Sequence, residues 1–387
     1  MQQKLIKYLL NLRDAGCLKH LEDLKGMEIL LEAKALSKRG KIDSASLPDL
    51  LDQLGRSGFS RILLIDLLVK EGEFQAILDL ISGLPGKLEA IRFLDPGLGR
   101  AIQKQWPALP LELSLEQGIP NQGAICSWVE SFGGKLRRLA LSNQIPIAEI
   151  TELRERLGPG IQLELLALGR IETFYSPRPL VQPLFGGGSP LGEFQAASED
   201  RPTQINPLVQ NEHGTLMYHD KDLWLLGEEL RAQQAGITHF RLELEGDEQY
   251  ELVEKYWDGS RMDPTLHQAW KRKTTRGFFL KNRTDKPLKR LKNTNLQSLR
   301  GQEVAEVIDS KKNGFVIFEL KEKLSLPLNL KLCNPEGREI PFKLKEVWNL
   351  HDNVDSSPLR EMIPPGIYRT GWIKAGLRKS LILKDER

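Results

Sequence analysis

The stretch from Leu163 to Gly188, LELLALGRIETFYSPRPLVQPLFGGG, decides how the chain is read. It opens as an apolar strand and leaves through a Pro- and Gly-rich exit. Between them stands the phrase Tyr175-Ser176-Pro177-Arg178-Pro179. If the strand belongs to a (β/α) barrel, the phrase follows its C-terminal end, where the active sites of such barrels lie. No cysteine or histidine is close by in sequence, and no acidic pair is obvious.

Upstream, apolar runs beginning at Met27, Phe59, Leu88, Leu109, Lys135 and Ile161 alternate with helical patterns beginning at Ser46, Glu73, Leu98, Asn121 and Ile147. Such alternation predicts parallel βαβ units, and so many in one run predict a closed barrel rather than an open sheet. An open dinucleotide-binding sheet would need a glycine fingerprint after its first strand, and AKALSKRGK has none. Downstream of Gly188, GGGSPLGEFQAASEDRPTQINP reads as a long functional or mobile loop. The runs PLVQNEHG and TLMYHD, joined at Gly214, read as short strands. KDLWLLGEELRAQQAG reads as a helix, THFRLELEG as the last barrel strand and DEQYELVEKYWDG as the last helix. The N-terminal MQQKLIKYLLNLRDAGCLKHLEDLKG has the pattern of an amphipathic helix, without the uninterrupted apolar core of a signal peptide.

The predicted organisation is therefore α/β: a TIM-like (β/α) barrel over 1–265, a basic connector over 266–300 and a small antiparallel β-barrel domain over 301–387. The last is read from short strands with Asn-Gly and Glu-Gly turns. The 387 residues suit a barrel plus a smaller domain. With 55 basic and 52 acidic residues, net charge +3, any basic surface must be local. The three cysteines, Cys17, Cys126 and Cys333, are far apart and lack CxxC spacing, so neither a disulfide framework nor a zinc knuckle is expected, and a cytoplasmic location fits. No window approaches the roughly 20 apolar residues of a membrane span. Neither a membrane nor DNA is an expected partner.

Several segments, in one order, carry a family resemblance. They are LDPGLGRAIQKQWPALPLELSLEQGIPNQGA, KLRRLALSNQIPIAEI, GRIETFYSPRPL, KDLWLLGEELRAQQAGITHFRLELEG and TTRGFFLKN. The chain resembles the peptidase U-32 family of collagenase-like proteases, which includes bacterial RNA- and ubiquinone-hydroxylation proteins. The resemblance implies a role in RNA hydroxylation, with peptidase action on protein as an alternative. Members active in oxygen-independent hydroxylation hold a four-iron four-sulfur cluster on four cysteines of the barrel. At two of those positions this chain has Glu172 and Pro179. Leu168 stands at the family histidine, and Pro177 replaces the glycine of Tyr-Ser-Gly-Arg. A cluster needs thiolates, so no cofactor is expected. The chain would then be a pseudoenzyme, an accessory member or a non-catalytic partner of a cysteine-bearing paralogue.

Candidate pocket residues follow from strand ends. Glu32 alternates with apolar neighbours and points inward, with Lys34, two residues on, as its partner. Asp95 ends the third of the strands counted from Met27, as a mouth residue or an Asp-Pro turn. Gln117 and Asn121, with Glu116, follow the fourth, to orient a ligand or, for Asn121, to cap a helix. Arg170, Glu172, Tyr175, Ser176 and Arg178 line the exit of the Leu163 strand. Arg178 is either a fixed cation for a carboxylate or phosphate or a cap on nearby carbonyls. Glu243 and Glu245 face one side of the last strand, for acid–base work, for oxygen ligation, or for pairing with Arg241. His213 and His219 lack partners at metal-binding spacing, so no metal site is predicted. No HExxH, GxSxG or P-loop occurs. The connector gathers Lys271, Arg272, Lys273, Arg276, Lys281, Arg283, Lys289 and Arg290 around Phe278 and Phe279, with Asp285 alone against them. Basic residues interleaved with aromatics suit RNA phosphates and base stacking; the same pattern also fits a solvated linker with core phenylalanines.

Overall fold

The computed structural model describes residues 6–116, 121–181, 191–198, 201–282, 303–311, 314–333, 339–350, 357–372 and 381–384. They fall into two compact units, Met1–Asn282 and Arg283–Arg387.

The first unit is a parallel barrel. Its wall begins with β1 (Lys7–Leu12), β2 (Glu28–Leu31), β3 (Arg61–Ile65), β4 (Ala90–Phe93), β5 (Leu111–Ser114) and β6 (Leu136–Ala140), followed by the first half of β7 (Gln162–Ser176). An antiparallel arm comes next: β8 (Gly192–Ser198), β9 (Arg201–Asn211) and β10 (Gly214–Trp224). The eighth barrel strand, β11 (His239–Leu242), closes the ring by pairing in parallel with both β7 and β1. Helices α1 (Leu47–Arg56), α2 (Glu71–Ile81), α3 (Pro96–Gln105), α4 (Gln122–Ser131) and α5 (Ile147–Leu157) follow successive strands, and α6 (Glu229–Gln234) and α7 (Gly246–Tyr256) flank β11. Their buried apolar residues face the wall, from a single residue in α4 and α6 to a full stripe in α1. In α1 this is Leu47, Leu50, Leu51 and Leu54, the spacing that keeps one helix face inward.

The eight-stranded TIM-like barrel agrees with the sequence, but three segments differ. Of the N-terminal residues expected to be helical, Lys7–Leu12 form β1, and Ala15–Leu24 form a 3-10 helix. A parallel strand buried on both faces is a continuous apolar run, and KYLLNL cannot be told from a helix turn by periodicity alone. The run KDLW belongs to β10, and the helix there is only Glu229–Gln234. Pairing overrides propensity at this point, because Asp222 N–H donates to the Lys273 carbonyl at 2.8 Å and β10 binds β12 (Thr274–Thr275) in parallel. The expected loop after Gly188 contains β8 and the start of β9, held by their mutual pairing. Tyr175 and Ser176 accordingly lie within β7, which runs past the barrel rim to pair with β10. Gly169 lets it turn out of the wall: its φ is +147°, and a Cβ there would sit 2.7 Å from Glu243 Cβ.

The barrel interior has two unlike walls. Leu9, Leu30, Ile62, Leu64 and Ala90 form a small apolar cluster separate from the main core. Facing them are Arg92, Glu112, Arg138, Glu164 and Arg241, all buried.

The unit also includes the start of the expected connector. A short helix α8 (Leu266–Ala269) leads to Trp270 and then β12, and Trp270 and Phe279 are buried in the barrel core. The second unit is antiparallel, as expected. Its strands are β13 (Glu303–Ser310), β14 (Val316–Leu320), β15 (Leu324–Ser325), β16 (Leu328–Cys333), β17 (Glu339–Leu344), β18 (Val347–Asn349), β19 (Met362–Ile363), β20 (Gly366–Thr370) and β21 (Leu381–Lys384). Seven make one sheet in the order β17-β16-β21-β13-β14-β20-β18, and β15 pairs β19. Val304, Phe318, Leu330, Val347 and Ile382 are among its core residues. No described helix is long and apolar enough to cross a membrane.

Candidate functional site

The C-terminal ends of the barrel strands converge on a charged mouth. At its floor lies the interior ionic wall. Arg92 on β4 donates from Nε and Nη2 to Glu112 at 3.0 and 2.8 Å and from Nη1 to Glu164 at 2.6 Å. Arg138 reaches Glu164 at 3.3 Å and Glu28 at 2.5 Å. Burial pushes the Glu164 carboxyl up, but Arg92, Arg241 and Arg138 outweigh it and bring its pKa down to about 2. Glu112 is likewise held low against its burial by Arg92, Arg138 and Arg137.

One turn further out the network changes character. Arg13, just past β1, bridges Glu32 and Glu243 at 2.7 Å each. Arg39 reaches Glu243 at 2.8 Å and also pairs with Glu245. Arg170 holds Glu245 at 2.6 Å, and Arg272 joins Glu245 at 3.2 Å and Asp222 at 2.9 Å. Arg241 completes the ring to Glu243 at 3.2 Å and to Glu116. On the opposite side Lys38, almost wholly buried, lies 3.1 Å from Glu172, 3.8 Å from Asp66 and 4.8 Å above the Tyr175 ring. Here burial wins for several carboxyls. Glu172 is raised despite Lys38, and Glu32 is raised despite Arg13. Glu243 is held low, against its burial, by Arg13, Arg241 and Arg39.

These groups enclose an inner chamber of about 70 Å³, bordered by Arg13, Glu32, Lys38, Glu172 and Arg241. Beside it opens a cleft of about 1170 Å³ between the mouth and the β8–β9 arm, where seven basic residues, among them Lys34, Lys41 and Arg170, stand against the acids Asp14, Glu193, Glu212, Glu245 and Asp247. Tyr218, on β10 opposite Glu172, lies behind the lining, under the guanidinium groups of Arg39 and Arg170, at 4.9 and 5.5 Å from its ring. Its buried hydroxyl and Arg13 Nη1 have no hydrogen-bond partner among the described residues. A site with spare buried donors and excess cations at its rim can take an anionic, hydrogen-bonding ligand.

The sequence candidates distribute unevenly over this site. Glu32, Arg170, Glu172, Tyr175, Glu243 and Glu245 come together in the mouth. The expected Glu32–Lys34 pairing is not formed: Arg13 holds Glu32, and Lys34 is an exposed rim residue 3.4 Å from Glu212. The reason is that β2 ends at Leu31, so strand alternation no longer applies at Lys34. Asp95 and Asn121 are helix caps, accepting from Leu98 N–H at 3.0 Å and Ala124 N–H at 2.8 Å. Ser176 accepts locally from Arg178 N–H at 3.2 Å, and the Arg178 side chain is exposed. Gln117 lies outside the described residues, as do Arg283, Lys289 and Arg290. Of the connector, Arg272 enters the mouth, Lys271 pairs with Glu248, and Arg276 is 3.3 Å from Glu228. Lys273 and Lys281 are exposed and Phe278 is half-buried. Sequence reasoning missed Arg13, Lys38, Arg39, Asp66 and Tyr218. Lys38 and Arg39 lie in the loop after β2, where no strand or helix period marks them. Arg13 was hidden by the helical reading of β1.

The donor set bears on metal chemistry. Among the three cysteines only Cys17 borders the cleft; its thiol is 3.8 Å from Asp247 and is pushed up to about 11 by burial and by Asp14 and Asp247. His20 shares Asp247, at 3.5 Å, but a thiol held protonated is a poor nucleophile and a poor ligand. Cys126 lies on α4 and Cys333 ends β16. These positions do not fit a four-thiolate cluster.

The model of Peptidase family U32 matches residues 29–288, more than half of the chain. The chain belongs to peptidase family U32. It is similar to tRNA hydroxylation protein P of Escherichia coli (strain K12), with 23% identity over 346 residues covering 74% of each chain. It is similar to the Haemophilus influenzae protein of the same name, with 23% identity over 349 residues covering 73% of this chain and 74% of that one. The solved structure of a U32 peptidase aligns over 64% of this chain and 96% of its own, with 12% identity and a TM-score of 0.41.

Proposed function

We propose that this U32 member acts in RNA modification, binding a segment of RNA in the cationic cleft, and that it carries no iron–sulfur cluster of its own. The observation that supports this reading is the Lys38–Glu172 pair. Glu172 stands where the resemblance puts a ligand cysteine, and a buried ammonium 3.1 Å away engages it. The ammonium occupies that carboxylate, so Glu172 is engaged by Lys38 rather than offered as a substitute ligand. The chain then acts as the RNA-holding member, with the redox chemistry supplied by a cysteine-bearing relative. The distant relatives named for tRNA hydroxylation favour RNA over protein as the substrate class.

The test is iron and acid-labile sulfide content of protein purified without oxygen, together with retention of tRNA by the full chain. Near-zero iron with tRNA retained above a scrambled-charge control is the expected result. Stoichiometric iron and sulfide would overturn the cluster-free part. Absence of RNA retention would overturn the substrate class.

A further inference from the structure

Three sets of donors border the cleft without being consumed by the ionic network. The first is Arg13, more than nine-tenths buried. Its Nε donates to Glu32 and its Nη2 to Glu243, and Nη1 is left without a partner among the described residues. A buried N–H with no acceptor is costly until a ligand or water supplies one. The second is Lys41, exposed in the loop after β2 and with no ion-pair partner among the described residues. Its backbone N–H donates to the Arg13 carbonyl at 2.8 Å, which fixes it beside Arg13. The third is the N-terminus of α7, whose Gly246 and Asp247 border the same cleft. Glu245, at the N-cap position, gives that helix no side-chain cap, because Arg39, Arg170 and Arg272 take its carboxylate. The first-turn amides are left for another acceptor. Gly246 keeps the backbone there bare: its φ is +71°, and no heavy atom lies within 4 Å of where a Cβ would be.

The acids around this end of the cleft are engaged. Asp247 holds Lys19 at 2.5 Å, Glu248 pairs with Lys271, and Asp14 accepts the Gly16 N–H at 2.9 Å. In (β/α) barrels the loops after the seventh and eighth strands, with a helix N-terminus, are a recurrent seat for phosphate. Here β7 supplies Arg170, and the turn after β11 leads straight into α7. A guanidinium N–H, an ammonium and backbone amides come from three separate parts of the chain. Such a set suits the several oxygens of a tetrahedral phosphate better than the two coplanar oxygens of a carboxylate. A cleft of about 1170 Å³ is far larger than a free ion, so the phosphate belongs to a larger molecule. We infer that Arg13 Nη1, Lys41 and the α7 N-terminus form a phosphate seat. Its source, a backbone phosphodiester of the bound strand, rests on the RNA reading above.

The experiment titrates the full chain with inorganic phosphate, followed by phosphorus NMR at low ionic strength. A second arm measures anisotropy of a labelled single-stranded RNA and its displacement by phosphate, against chloride of equal ionic strength. Lys41→Ala is the main variant, because an exposed, unpaired side chain can be removed without loss of folding, checked by an unchanged thermal midpoint. Arg13→Lys keeps a charge for Glu32 and Glu243 but has no Nη1. Lys104→Ala, an exposed lysine on α3 that does not border the cleft, is the control. The expected result is phosphate binding about tenfold weaker in Arg13→Lys and about threefold weaker in Lys41→Ala, unchanged in Lys104→Ala, with RNA displaced by phosphate beyond the chloride effect. Absence of phosphate binding to the wild type, or equal binding in wild type and Lys41→Ala, would overturn the seat, even where Arg13→Lys does not fold. If RNA is retained with equal affinity by the wild type and both cleft variants, the RNA reading stands and the seat falls. If phosphate binds as expected and no RNA is retained, the seat stands, its ligand is another phosphorylated molecule, and the RNA reading falls.

Discussion

The floor and the mouth of the barrel draw charged residues from the same strands and the residues just past them, to different effect. Glu28 opens β2 and Glu32 follows its last residue; Arg241 lies in β11 and Glu243 follows its last residue. In the floor each carboxylate is gripped by several arginines and lies below its ordinary pKa, as at Glu112 and Glu164. In the mouth, Glu32 and Glu172 are no more buried but meet fewer cations, and lie above it, whereas Glu243, gripped by Arg13, Arg241 and Arg39, lies below it. Coordination number, not burial, separates the two. The floor is an ionic substitute for an apolar core layer, and the mouth keeps unspent hydrogen-bonding capacity at Arg13 and Tyr218.

The sharpest break of this comparison is to remove one cation from each. Arg92→Met leaves Glu112 and Glu164 short of their main partner, fully buried, and should cost about 3–5 kcal/mol. Lys38→Met should cost less than half of that, because burial already raises the Glu172 carboxyl, which takes up a proton more readily than Glu112 or Glu164 once its cation is gone. Urea unfolding at neutral pH measures both; equal losses would mean the mouth is as structural as the floor.

The second test uses the sign of pH dependence. Glu164 has a folded pKa of about 2, below its unfolded value, so the stability it contributes is present above about pH 4.5 and is lost as pH falls towards 2. That contribution is on the order of 3 kcal/mol. Glu172 is raised, so its contribution is full below the ordinary carboxylate range and is lost as pH rises through its folded value. Urea midpoints of Glu172→Gln should therefore match the wild type in acid and exceed it at alkaline pH. A Glu172→Gln variant that is less stable than the wild type at high pH would show that Lys38 outweighs burial.

How much of this was legible follows from strand burial. The βαβ alternation was readable because helices such as α1 keep their apolar residues on one stripe. β1 was not, because KYLLNL buries both faces and carries no period. Losing β1 also lost Arg13, the cation that joins Glu32 to Glu243. The floor charges were in plain view as single charges in apolar strands, Arg92 in AIRF and Glu112 in LELS, but nothing local says whether such a residue faces a ligand or another charge. Glu32, Glu172, Glu243 and Glu245 were found because strand ends in a barrel point at the mouth. Their partners Lys38, Arg39 and Arg272 come from loops and from residues far along the chain, where spacing carries no information.

The smallest expected effect lies at the rim and separates site from surface. Lys271 and Arg276 pair with Glu248 and Glu228 while largely exposed, and exposed pairs contribute little. Lys271→Ala and Arg276→Ala should each change unfolding stability by no more than about 0.5 kcal/mol. Arg272→Ala should cost more, because it leaves the buried Asp222, already raised by burial, with Trp270 Nε1 at 3.0 Å as its remaining hydrogen-bond donor among the side-chain contacts described. If the connector touches RNA phosphates, each rim variant should also lower the salt slope of RNA binding by about one counterion without changing sequence preference. An unchanged slope in both would confine RNA contact to the mouth, where Arg39, Arg170 and Arg272 already face the cleft.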